Sequence, residues 1–141
     1  MILRHVGITV TDAEESLKFY RDLLGFKVVR IMDESGKHID NFSALSGVKV
    51  KTIKLRDKNG GMIELLQYYS HPKAAEERDI SCIGCSHFAL TVSNLDFLLD
   101  EMNRMGYIIN SSAQYSPDKK VKLTFCKDPD GTLIELVEEL G

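Results

Sequence analysis

The chain has three cysteines, three prolines and no surplus of basic side chains. Its 18 Lys and Arg are set against 21 Asp and Glu, for a formal net charge of −3. Each shortage excludes something. An odd, small number of cysteines argues against a disulfide framework and for a reducing compartment, so the cytoplasm is the expected location. Without a Lys/Arg stripe there is no electrostatic footprint for nucleic acid or an anionic membrane, and the small group Lys119, Lys120 and Lys122 does not supply one. No apolar run approaches the length of a transmembrane helix, and the first residues pass into patterned structure without the charged and apolar regions of a signal peptide. What is present, 43% hydrophobic and 28% charged residues, is the composition of an ordinary soluble globular protein.

Two of the cysteines form C-I-G-C, Cys82 and Cys85, with His87 two residues on. A zinc site would need a second pair at suitable spacing, a thioredoxin-like site a strand before and a helix after, and haem attachment a His at position 86, which is Ser. The segment reads instead as a loop entering a strand.

The most informative feature is repetition. HVGITV at residues 5–10 returns as HFALTV at 87–92, and MIEL at 62–65 returns as LIEL at 133–136. Gly25 follows His5 by 20 residues and Gly106 follows His87 by 19, so spacing repeats along with words. Residues 1–69 and 84–141 read as two modules joined by a polar linker over 70–83 that contains Pro72. A chain of 141 residues fits one compact domain of ordinary size, so modules of about 70 residues each are read as halves of one domain over 1–141.

In the first module, Val6, Ile8 and Val10 form an apolar face of a strand, with His5, Gly7 and Thr9 on the other. A helix follows over 11–26, capped by Thr11 or Asp12 and stopped at Gly25, with Leu17, Tyr20 and Leu24 as its stripe and Phe19 and Leu23 beside it. Residues 26–31 read as a strand, 32–47 as a loop with a short helical turn around Phe42 to Leu45, and 48–55 and 61–67 as a hairpin around DKNGG. The second module repeats the order: a strand at 84–92, a helix at 95–105, a short strand at 107–110, a loop to Lys119, and a hairpin around DPDG. Each module is thus βαβββ, an α+β fold.

Alternation puts Glu64 with Met62 and Leu66 opposite Ile63 and Leu65, and Glu135 with Leu133 and Val137 opposite Ile134 and Leu136, so both carboxylates sit in otherwise apolar strands, where an unpaired one is costly. His5 and Glu64 in one module correspond to His87 and Glu135 in the other. Four ligand-type side chains at equivalent places in a duplicated module point to one divalent ion, of Zn, Ni, Co, Mn or Fe type, bound by mixed N and O donors. Because a structural zinc more usually recruits cysteine, the reading is a catalytic Lewis acid in a cup lined by Gly7, Thr9, Ala89 and Thr91.

Through HVGITV, FYRDLLGFKVV, GMIELLQY, HFALTV and DPDGTLIELVE the chain resembles, over nearly its whole length, the vicinal-oxygen-chelate superfamily. That superfamily includes glyoxalase I, methylmalonyl-CoA epimerase, extradiol dioxygenases and fosfomycin-resistance enzymes. The resemblance implies two tandem βαβββ modules forming a curved eight-stranded mixed sheet around a metal cup, often in a homodimer, with His5, Glu64, His87 and Glu135 as the metal ligands. It further implies a small-molecule substrate and a lyase or isomerase reaction, a 1,2 proton transfer next to a metal-bound carbonyl, with Glu135 and Glu64 as candidate bases. Glyoxalase I and an acyl-CoA epimerase are the nearest patterns; an Fe(II) extradiol dioxygenase and a non-enzymatic, drug-sequestering resistance protein are the alternatives. Thr9 stands where glyoxalase I carries an Arg that grips glutathione, so turnover is expected not to depend strongly on glutathione; Arg21, Lys119, Lys120 and Lys122 are the substitute cations considered.

Overall fold

The duplication is visible in strand register. In the computed structural model, which describes all of residues 1–141, strand β1 (Val6–Thr9) lies parallel to β4 (Met62–Tyr68), with Gly7 opposite Glu64. Strand β5 (Phe88–Thr91) lies parallel to β8 (Leu133–Glu139), with Ala89 opposite Glu135. The chain divides into two compact units, Met1–Ala74 and Ala75–Gly141. Eight strands are present, four in each of two mixed sheets, and the class is α+β as expected.

In the first unit the sheet order is β1-β4-β3-β2, where β2 is Lys27–Ser35 and β3 is Lys49–Arg56; the β4–β3 and β3–β2 pairs are antiparallel. Helix α1 (Ala13–Leu17) starts because the Asp12 carboxylate accepts from the Glu14 and Glu15 N–H groups. It then widens into a π-helical turn over Lys18–Leu23, in which Leu24 N–H reaches the Phe19 carbonyl. The wide turn lets two consecutive aromatic rings, Phe19 and Tyr20, both be fully buried, edge to face at 5.0 Å. The buried stripe is therefore Leu17, Phe19 and Tyr20, while Leu23 and Leu24, placed on it by an ideal helical period, are only half-buried. Gly25, at φ 81°, ends the helix.

The stretch read as a loop over 32–47 is more ordered than its pattern suggests. Strand β2 continues to Ser35 because Glu34 pairs with Val50 in the ladder and its carboxylate accepts from the Thr52 hydroxyl at 2.8 Å. Helix α2 (Lys37–Ser43) follows, ending in left-handed Ala44. Its return to β3 is pinned by the Asp40 carboxylate, which accepts from the Gly47 and Val48 N–H groups at 2.9 Å each; those bonds hold its acidity below the ordinary carboxylate value. Ile39 of α2 packs with Val48 and Val50 against Leu66 and Tyr68.

The second unit has sheet order β5-β8-β7-β6, where β6 is Gln114–Tyr115 and β7 is Val121–Lys127. Helix α3 (Leu95–Met105) is capped by the Asn94 side chain on Phe97 N–H and stopped at Gly106, φ 79°. The strand expected over 107–110 does not form. Ile109 makes one bridge to Cys126, and then the Ser111 hydroxyl bonds the Ser112 carbonyl and Thr124, interrupting the ladder until β6. In both hairpins an aspartate organises the turn: Asp57 accepts from Asn59 and Gly61 N–H groups, and Asp128 from those of Asp130 and Thr132. All three cysteines are free; Cys82 and Cys85 lie in the loop before β5, while burial pushes the Cys126 thiol up to about 12.

Candidate functional site

Each sheet has one face buried against its helix and one that carries the ligand-type residues. In the first unit Ile8, Ile53, Leu55, Ile63 and Leu65 are buried on the helix side. Glu64 alternates to the other face, and His5, two residues before its register partner Gly7, emerges on that face too. With no side chain at Gly7 between them, His5 Nε2 lies 3.8 Å from Glu64 Oε1. In the second unit the same construction, with Ala89 as the small residue, sets His87 Nε2 3.3 Å from Glu135 Oε2. All four side chains are partly buried, between 15% and 31% exposed. The four predicted residues are thus brought together as two pairs, and no group of three or more His, Cys, Asp or Glu lies close enough to hold an ion.

The spacing of the His87/Glu135 pair suits two donors on one metal, and the His5/Glu64 pair is wider. With bonds of about 2.1 Å, two ligand atoms are roughly 3.0 Å apart at a right angle and roughly 3.4 Å apart at the tetrahedral angle. The protonation of His87 suits it as well. The Ser86 hydroxyl donates its only proton to the Ile80 carbonyl at 2.8 Å, so its 2.9 Å contact with His87 Nδ1 is made by Nδ1–H donating to Ser86 Oγ. The neutral ring then has its lone pair on Nε2, facing the Glu135 carboxylate. Two acceptors face to face are stabilised by a cation between them, either a proton on the ring or a metal ion. Phe125 packs edge to face on the His87 ring at 4.9 Å and fixes its plane.

Two contributors escaped the sequence reading. One is Ser86. The other is Lys54, opposite Glu64 in the β3–β4 ladder, with Nζ 3.7 Å from Glu64 Oε2. A signal for Lys54 existed: it precedes Glu64 by 10 residues, as Phe125 precedes Glu135 by 10. Of the other candidate cations, Lys122 is buried between Asp96 at 2.7 Å and Glu138 at 3.2 Å, bonds that raise its affinity for its proton, and Arg21 is paired with Asp22 on the surface of the helix. Lys119 and Lys120 lie between β6 and β7.

A profile of the Glyoxalase/Bleomycin resistance protein/Dioxygenase superfamily matches residues 2–136. Protein YwkD of Bacillus subtilis is 29% identical over 139 residues, covering 97% of this chain and 96% of its own length. A lactoylglutathione lyase of Schizosaccharomyces pombe is 27% identical over an alignment of 144 positions that covers 97% of this chain and 47% of that protein. Among solved structures, a glyoxalase family protein from Bacillus cereus matches with a TM-score of 0.89 at 22% identity, covering 99% of this chain and 94% of its own, a likeness of fold.

Proposed function

Because the chain belongs to the glyoxalase/bleomycin resistance protein/dioxygenase superfamily, we propose that it is a metal-dependent enzyme of glyoxalase type, a lyase or isomerase that moves a proton between adjacent carbons of a small substrate. The observation that carries this reading is the pair of His–Glu contacts at equivalent register, 3.8 and 3.3 Å across. Neither pair alone supplies the three or more protein donors that a resident ion usually has. We therefore assign His5, Glu64, His87 and Glu135 to one divalent ion of Zn, Ni, Co, Mn or Fe type. Bound there, it would supply Lewis acidity to a substrate carbonyl and so acidify the neighbouring C–H.

The remaining chemistry belongs to the chain's own carboxylates. Glu135 is ion-paired with His87 alone, whereas Glu64 is held from a second side by Lys54. Glu135 is thus the freer group to take the C–H proton on a carboxylate oxygen and return it to the adjacent carbon, a general-base contribution of about 10²–10⁴-fold. His5 and His87 stay fixed and orient the site, His87 through Ser86. Thr9, in place of a glutathione-gripping cation, favours a substrate that does not depend strongly on glutathione. The working form proposed is a cytoplasmic homodimer; no helix is long and apolar enough to cross a membrane.

The test is metal analysis of the purified protein combined with turnover in D₂O across hemithioacetals, acyl-CoA esters and small 2-oxo or 2-hydroxy acids. One equivalent of metal per site and solvent deuterium in the product are expected. Oxygen consumption with ring cleavage, or drug binding without metal, would replace this reading.

A further inference from the structure

Strand register lays out the His5/Glu64 face as a grid. One row runs Gly7, Glu64, Lys54, Arg30 and the next runs Met62, Arg56, Lys27. Contacts across the rows confirm the shared face: Lys54 Nζ approaches Glu64, the Arg56 guanidinium reaches Met62 Sδ, and further along the Thr52 hydroxyl donates to Glu34. The β2–β3 half of these two rows therefore carries four cations with one carboxylate, Glu64, beside them.

Two features of this strip are unusual for a surface that faces only water. First, Arg30 stands directly opposite Lys54, and Lys27 opposite Arg56. Like charges facing each other across a ladder repel and destabilise the pair. Second, the donors are scarcely used. At 3.7 Å the Lys54 ammonium is outside hydrogen-bond reach of Glu64, Arg56 donates only to a thioether sulfur, a weak acceptor, and Arg30 and Lys27 make no ion pair. Lys54 is also the most enclosed of the four, its side chain 22% exposed. An oxyanion seated on the strip would relieve the repulsion and take up the free donors. At the far end of the face, Ile39 of α2 packs with Val50, Leu66 and Tyr68, and the Thr52 hydroxyl is taken up by Glu34, so the unused donors beside Glu64 are those of the strip.

We propose that Lys54, Arg30 and Arg56 form an oxyanion subsite on the His5/Glu64 face, and that the substrate carries a carboxylate or phosphate close to its reacting carbonyl. That the anion belongs to the substrate rests on the metal-enzyme reading above; the subsite itself does not. Arginine forks suit planar or tetrahedral oxyanions, and the lysine adds a point charge nearest the reacting centre.

Binding is tested by amide NMR shifts on ¹⁵N-labelled protein, chelator-stripped and then loaded with one divalent metal, titrated with inorganic phosphate, lactate and neutral lactamide. Phosphate and lactate are expected to shift the Arg30, Lys54 and Arg56 amides of the stripped protein, lactamide not. Lys54→Met is expected to weaken both anions about tenfold, the loss of one charge-assisted bond, with Lys54→Arg restoring most of it. Whichever anion binds tighter identifies the substrate's charged group. No shifts on β2 and β3, or equal anion affinity in wild type and folded Lys54→Met, would overturn the subsite. Failure to take up metal while the anion shifts persist would instead sink the catalytic reading and leave the subsite standing; metal uptake with equal affinity for lactate and lactamide would do the reverse.

Discussion

Glu64 and Glu135 occupy the same position in two copies of one module, yet their surroundings differ in kind. Next to Glu64 on its sheet is Lys54, and beyond it Arg30; next to Glu135 is Phe125, whose ring packs on His87. The first face is bounded by helix α2, and the second unit has no helix between its first helix and its hairpin. Duplication has kept the His–Glu pairs in register while their neighbours became charged in one copy and aromatic in the other. Each His–Glu pair therefore has its own kind of wall, charged beside Glu64 and aromatic beside Glu135.

Exchanging the carboxylates for amides separates the two copies most strongly. With metal saturating, Glu135→Gln is expected to lower kcat by about 10²–10⁴-fold, the range of a lost general base, and Glu64→Gln by clearly less. Equal losses would mean that Lys54 does not distinguish the two. A smaller difference lies behind the histidines: Ser86 fixes the His87 tautomer, whereas Arg4 holds the matching place before His5. Ser86→Ala should weaken metal affinity about 10- to 100-fold in competition with a chelator, and Arg4→Ala should leave it unchanged.

The smallest expected effect concerns α2, present in the first unit only. Asp40 has its acidity strengthened by the Gly47 and Val48 N–H bonds, so its contribution to stability is complete above its ordinary value of 3.8 and is lost as pH falls through its lower, folded value. Asp40→Asn should therefore lower Tm at neutral pH, with the gap between wild type and variant closing in strong acid. A gap that does not change with pH would show that the carboxylate's charge is irrelevant.

Much of this was legible in the sequence, because duplicated words mark what the two copies share. HVGITV and HFALTV, MIEL and LIEL placed both strand pairs and all four ligand candidates. What the copies do not share left no such mark. Lys54 is marked by spacing alone, because its counterpart is Phe125, and a search for identical residues passes over a position where divergence carries the information. The π-helical turn is set by the burial of adjacent Phe19 and Tyr20, which an ideal helical period cannot represent. The strand expected at 107–110 failed because the Ser111 side chain competes for the ladder, and α2 lacks both a side-chain cap and a clear apolar period.

Each His–Glu pair joins the start of its unit's first strand to its last strand, Glu64 following His5 by 59 positions and Glu135 following His87 by 48. These are among the most non-local contacts their units can make, and closing such loops is the slow, entropically opposed part of folding. A nascent chain holds neither pair until the final strand of that unit has docked, so ion uptake should trail folding during synthesis. An ion bound as proposed would act as a clasp on two long loops, adding stability that grows with the logarithm of its free concentration.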